Sequence, residues 1–125
     1  MNANLVAPQG VANTMVAISG DALYVGFNYF SINPASGSKL FSLNKSDLTK
    51  NWSFSVDSLL NQQIAVDKDE NVYFSTQNGK LYGLTRTGEL MWVIDSGINT
   101  DISPILAKDA LIWGYVNRST RVEVK

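Results

Sequence analysis

A unit of short strands returns about every 40 residues along this chain, and that return limits what the chain can fold into. "VYFSTQNGKLYGL" (72–84) lines up without a gap on "IWGYVNRSTRVEV" (112–124), 40 residues further on. "DALYVG" (21–26) comes back as "DALIWG" (109–114), and "GSKLFSLN" (37–44) as "NGKLYGLT" (78–85). Trp52 matches Trp92. The first copy carries an insertion, "NYFSINPASG" (28–37). A period of this size made only of strands predicts propeller blades of four strands each.

Everything within the unit reads as strand. Segments such as "NVYFS" (71–75), "KLYGL" (80–84) and "ELMWV" (89–93) alternate with period two and are rich in β-branched and aromatic residues. "SDLTKNW" (46–52) and "DSLLNQQ" (57–63) come nearest to helical periodicity and are too short for it. "QNGK" (77–80) offers the Asn-Gly pair of a tight hairpin, with positive φ expected at both central residues and Gly79 structural. The expected strands are 14–18, 22–27, 39–43 and 50–56, then 62–66, 71–75, 80–84 and 89–94, then 103–107, 111–116 and 120–124. The repeats run approximately over 8–56, 57–96 and 97–125. The third stops one strand short, and "NANLVA" (2–7) falls at the fourth-strand position of a preceding blade. Residues 1–7 are therefore expected to close a blade.

"YGLTRTGELMW" (82–92) resembles the repeat of the quinoprotein-type, or PQQ-like, propellers: Tyr-Ala-Leu-Asp, a short turn, Thr-Gly, three residues and Trp. Thr87, Gly88 and Trp92 stand in place, Gly83 stands for the Ala and Thr85 for the Asp. The first copy keeps Leu43, Asn44 and Trp52 but has Asp47-Leu48 where Thr-Gly would fall. "DISPILAKDALIWG" (101–114) resembles the family's inner strand and hairpin. The resemblance implies that Trp52 and Trp92 dock between neighbouring blades. The quinone enzymes of the family use a vicinal cysteine pair, which this chain lacks, so the resemblance implies architecture and no cofactor.

Each blade has two apolar faces to bury, so three blades alone would leave two faces and a sheet edge open. Propellers close with roughly four to eight blades. Two copies of this chain would make a six-bladed ring with strand exchange, a head-to-tail contact that closes on itself. A segment of a longer propeller and a trimeric ring are the alternatives.

The composition removes several function classes. A net charge of −1 gives no basic face for nucleic acid. With no cysteine and no histidine, there are no disulfides, thiol nucleophiles, His-based triads or ordinary zinc sites. No stretch approaches the roughly 20 apolar residues of a membrane span. "MNANLVAPQG" lacks a signal-peptide pattern, so a cytoplasmic location is expected, or a periplasmic or secreted one if a leader has been removed.

"DKDEN" (67–71) spaces Asp67, Asp69 and Asn71 like a calcium loop, but Val72 and Asn78 occupy the positions that need Gly and an acid. It is expected to be a hairpin turn. Trp52, Trp92 and Trp113 read as core, and Gly88 as a structural turn residue. Tyr29 and Phe30, beside Asn33 in the insertion, read as an exposed aromatic pair suited to a partner or a sugar ring, or as a lid over the blade. In a propeller the loop from second to third strand shares one end with the loop into the next blade. That places Tyr29, Phe30, Asn33, Gln77, Asn78 and Arg118 beside Asn13, Thr14, Asn61, Gln62, Asn99, Thr100 and Asp101, a polar ring that could hold a small ligand or anchor a peptide. The expected function is a non-catalytic module, without cofactor or metal, that binds a protein or peptide through this face. The alternatives are a binder of a small polar ligand or carbohydrate in the central channel, and a hydrolase or lyase built on carboxylates at its mouth.

Overall fold

The computed structural model describes residues 11–29, 37–100, 102–107, 110–115 and 118–123, with side chains over 14–28, 37–100, 102–107 and 110–113. Among the described residues the fold is all-β, with no helix, in three antiparallel sheets, none of them closed into a barrel. In the first sheet, β1 (Val11–Asn13) and β2 (Ala17–Ser19) both pair β3 (Ala22–Tyr29), followed by β4 (Gly37–Asn44) and β5 (Lys50–Val56). The second runs β6 (Ala65–Val66), β7 (Val72–Ser75), β8 (Lys80–Leu84) and β9 (Leu90–Asp95). The third holds β10 (Ile105–Ala107), β11 (Ala110–Tyr115) and β12 (Arg118–Glu123). These strands follow the expected ones closely. The expected closing strand at 1–7 lies outside the described residues.

Two differences arise in the first sheet. The inner strand reaches back to Val11, and it is broken at Thr14–Val16, where the Thr14 hydroxyl accepts from the Gly26 amide at 2.8 Å. The insertion, expected to leave the strands at residue 28, instead lengthens a hairpin. Asn28 pairs Ser38 and Tyr29 pairs Gly37, so Tyr29 lies on β3 and not in a loop.

The turns share one geometry. In Thr76–Lys80 and Thr85–Glu89, the first residue's N–H donates to the last residue's carbonyl, and the glycine amide donates back to the first carbonyl. Gly79 and Gly88 both have φ of +88°. This is the three-residue hairpin with one left-handed position, so Asn78 does not take the positive φ expected of it. Asp67–Asn71 uses the same pattern with Glu70 at φ 66°, and the one-residue-longer Asn44–Thr49 turn places Leu48 at φ 62°. Leu48 thus does in the first repeat what Gly88 does in the second. Each β-bulge recurs too: at Ser42/Leu43 opposite Trp52, and at Gly83/Leu84 opposite Trp92.

The middle sheet is buried on both faces. Val72, Phe74, Tyr82 and Leu84 pack against Ala22, Tyr24 and Leu40 of the first sheet, with Trp52 and Phe54 at the margin. Tyr73 and Leu81 point the other way, onto Leu111 and Trp113 of the third, with Trp92 and Ile94 flanking. The inner strand β6 lies against both β2 and β10. Facing also settles the repeat register. Val72 and Leu111 each look back at the preceding sheet, so Leu111 is the counterpart of Val72, and the 40-residue alignment is out by one in this strand. A shift of one residue moves every side chain to the opposite face, so burial decides the matter.

Trp52 docks across the first interface. Its indole N–H donates to the Arg86 carbonyl at 2.8 Å, and its ring lies over Gly88 so closely that a Cβ there would stand 2.6 Å from it. Trp92 stacks on Tyr73 at 5.8 Å and 25°, between the second and third sheets. Trp113 is 1% exposed, as a core residue should be. Gly79 is equally constrained, since a Cβ there would collide with the Ile98 carbonyl. Gly88→Ala, which adds both backbone strain and a clash with Trp52, is expected to lower unfolding free energy by about 2 kcal/mol or more. Urea denaturation checks this, and an unchanged midpoint would show that the indole does not rest on that turn.

Candidate functional site

An antiparallel meander sends alternate connections to opposite ends. The β5–β6, β7–β8 and β9–β10 connections share one end, and the β4–β5, β6–β7 and β8–β9 turns share the other. At the first end Asp57, Ser58 and Leu59 meet Gln77, Asn78 and Asn99 around a shallow depression of about 230 Å³. Backbone bonds fix its floor: Gln77 N–H donates to the Leu59 carbonyl at 2.8 Å, Thr100 N–H to the Gln77 carbonyl at 3.1 Å, and Asn78 N–H to the Ser58 hydroxyl at 3.2 Å. The exposed side-chain amides of Gln77 and Asn99 form no hydrogen bond among the described residues. Each can donate and accept at once.

Of the expected ring of polar residues, the structure gathers Gln77, Asn78 and Asn99. Thr100 is buried, and its hydroxyl accepts from Ile102 N–H at 3.1 Å. Gln62 is exposed at the inner edge, away from the depression, with its carbonyl bonded to Met15 N–H at 2.9 Å. Asn13 and Arg118 take part in β1 and β12, paired with Phe27 and Tyr115. Phe30, Asn33 and Asp101 lie outside the described residues.

The sequence reading missed several residues that hold this end together. Asn28 stitches the first sheet to the second: its Oδ1 accepts from Leu60 N–H at 2.8 Å, and its Nδ2 donates to the Leu60 carbonyl at 3.1 Å. Asn61, expected at the surface, is 2% exposed. Its Nδ2 donates to Ser75 Oγ at 2.7 Å and to the Ile102 carbonyl at 3.3 Å, and Ser75 Oγ and Trp113 Nε1 reach the same carbonyl. The Asn28 amide spends its bonding inside the first interface, whereas the buried Asn61 Oδ1 finds no partner among the described residues. Asp57, in the β5–β6 connection, also belongs to this end.

At the opposite end Asp67 closes its hairpin, as expected of "DKDEN". Its carboxylate accepts from the amides of Asp69 and Asn71, from Asn71 Nδ2 and, at 2.7 Å, from the Tyr73 hydroxyl. All four donors lie within its own turn and strand. Among the described residues no group of three or more acidic, Cys or His side chains is placed to hold a metal ion.

No protein-family model matches this chain, and no curated protein matches it. Among solved structures, it is similar to the crystal structure of a protein of unknown function from Bacteroides caccae, with a TM-score of 0.52 and 13% identity. The match covers 95% of this chain and 48% of that one, so this chain spans about half its length. At such identity the likeness is one of fold. Among the described residues no helix is long and apolar enough to cross a membrane.

The tyrosines carry the clearest electrostatic signature. Burial, and then the bond to Asp67, push the Tyr73 phenol well above its ordinary 10.0. Burial raises Tyr24, helped by Glu70, and raises Tyr82, helped by Asp57 and Asp95. The folded chain therefore keeps these protons at a pH where the unfolded chain releases them. Their contribution to stability is intact below pH 10 and is lost as pH climbs from there towards the folded values. Three of the five tyrosines are expected to ionise late and together with unfolding, read by phenolate absorbance alongside circular dichroism. Smooth ionisation of all five near pH 10, with the sheets intact, would contradict this burial.

Proposed function

We propose that this chain is a non-catalytic binding module, three blades of a PQQ-like-repeat propeller, which two copies complete as a six-bladed ring with a polar loop end for a protein or peptide. One observation carries the ring. The outward faces of the first and third sheets are the repeat counterparts of faces buried between sheets. Ile112 corresponds to Tyr24 and Tyr73, which are 1% and 3% exposed, yet it is 38% exposed. Ile18, at 65%, corresponds to Val66, which packs into the first interface. The third sheet thus ends with the half of an interface whose other half begins the first. Apolar surface of this kind is what a head-to-tail partner buries. A similar structure about twice as long as this chain is in keeping with a fold completed by as many sheets again.

The loop end supports the binding reading. Gln77 and Asn99 present unused amides beside Asp57 in an open, shallow depression, which suits the alternating donors and acceptors of a peptide backbone. No step of a reaction is assigned to it. Selection from a displayed library of short peptides tests this reading. Peptides recovered on the wild type are expected to lose binding about tenfold on the Gln77→Ala/Asn99→Ala double variant, the value of one or two hydrogen bonds. Recovered peptides indifferent to both changes, or no recovery at all, would sink the loop-end assignment.

A further inference from the structure

At the end opposite the loops, the first and second sheets splay into a groove of about 340 Å³, small but within the range of ligand pockets. Trp52 and Tyr24 form its aromatic wall, and Asn51, Glu70, Arg86 and Thr87 supply polar groups around it. Trp52 is held in place by its bond to the Arg86 carbonyl and by Gly88 beneath it. Asn51 Nδ2 donates to Ser42 Oγ at 3.2 Å, which fixes the amide against the wall.

Two features set this groove apart from an ordinary seam. Glu70 and Arg86 lie on neighbouring turns, yet among the described residues neither side chain forms an ion pair or a hydrogen bond. Both side chains line the groove together with Tyr24. Glu70 also occupies the left-handed position of its turn, φ 66°, where Gly79 and Gly88 stand in the equivalent turns. A glutamate held there at some backbone cost is an observation in want of a role.

We propose that this groove binds a monosaccharide unit: a pyranose whose apolar C–H face lies on Trp52 while its hydroxyls donate to Glu70 and accept from Arg86. A carboxylate only accepts and a guanidinium only donates, whereas each sugar hydroxyl does both, so a vicinal diol satisfies the two unpaired groups together. The amide of Asn51 and the hydroxyl of Thr87 can serve a further hydroxyl. An aromatic wall with a polar rim is the arrangement such amphipathic rings require. Every residue of the site belongs to one chain and to its first two sheets, so the site stands whether or not the ring closes or the loop end binds peptide.

Saturation-transfer NMR with a panel of methyl glycosides (gluco, galacto, manno, fuco and N-acetylglucosamine forms) tests it on the whole chain. At least one glycoside is expected to receive saturation, with Kd in about the millimolar range, and to quench tryptophan fluorescence. Glu70→Gln and Arg86→Ala should each weaken that binding about tenfold, because each removes one charge-assisted hydrogen bond, while the thermal midpoint stays unchanged. Transfer to none of the glycosides overturns the proposal. So does binding that survives both substitutions. Glycine, a zwitterion matched to the two charges, is the control, and its displacement of the sugar at equal concentration would reassign the groove to amino acids.

Discussion

Burial of both faces of the middle sheet is the constraint on which the rest of the structure depends. Val72, Phe74, Leu81 and Leu84 are each fully buried; Val72, Phe74 and Leu84 point into the first interface and Leu81 into the second. A sheet of four short strands cannot be stable with one apolar face in water, and this one has two. Its neighbours are therefore obligatory, and their own outward faces inherit the same problem. The exposed Ile18, Ile105 and Ile112 mark where that problem is left unsolved within one chain.

Specificity within the stack comes from polar stitching. Trp52 fixes the first interface through one hydrogen bond and one glycine contact, at the end of the Thr85–Glu89 turn. Asn28, bonded twice to the Leu60 backbone, fixes the other end. Across the second interface the Ile102 carbonyl gathers donors from Asn61, Ser75 and Trp113. Apolar packing alone tolerates sliding, and bonds at both ends of a sheet forbid it, since each buried donor left unpaired would cost about 1–3 kcal/mol.

Much of the fold was legible because strands write a period of two and turns write Gly, Asn and Asp. The positions of Trp52, Trp92 and Gly88 were readable from the repeat, and so was the hairpin at Asp67. The register of the third repeat was not, because identities such as Trp113 beside Gly114 fit two alignments one residue apart, and only facing distinguishes them. The turn at Gln77–Lys80 was misread because Asn-Gly also suits the longer hairpin with a single left-handed residue. At the loop end, Asn, Gln and Thr are equally suited to solvent and to interface stitching. Thr100 and Asn61 went inward, whereas Gln77 and Asn99 stayed out. The groove at Trp52 was invisible to the sequence, since it joins strands of the first sheet to turns of the second, and their side chains meet only in space.

Closure by a second copy is read from the solution mass, by light scattering on the intact chain and on Ile112→Asp, a change on an exposed face that leaves both internal interfaces untouched. If two copies close the ring, the wild type is a particle of twice the chain mass of 13.7 kDa, and the variant is a single chain with the same far-ultraviolet spectrum. A wild-type chain that is folded and monomeric, with the variant behaving identically, would contradict closure by a second copy and leave those outward faces to a different occupant.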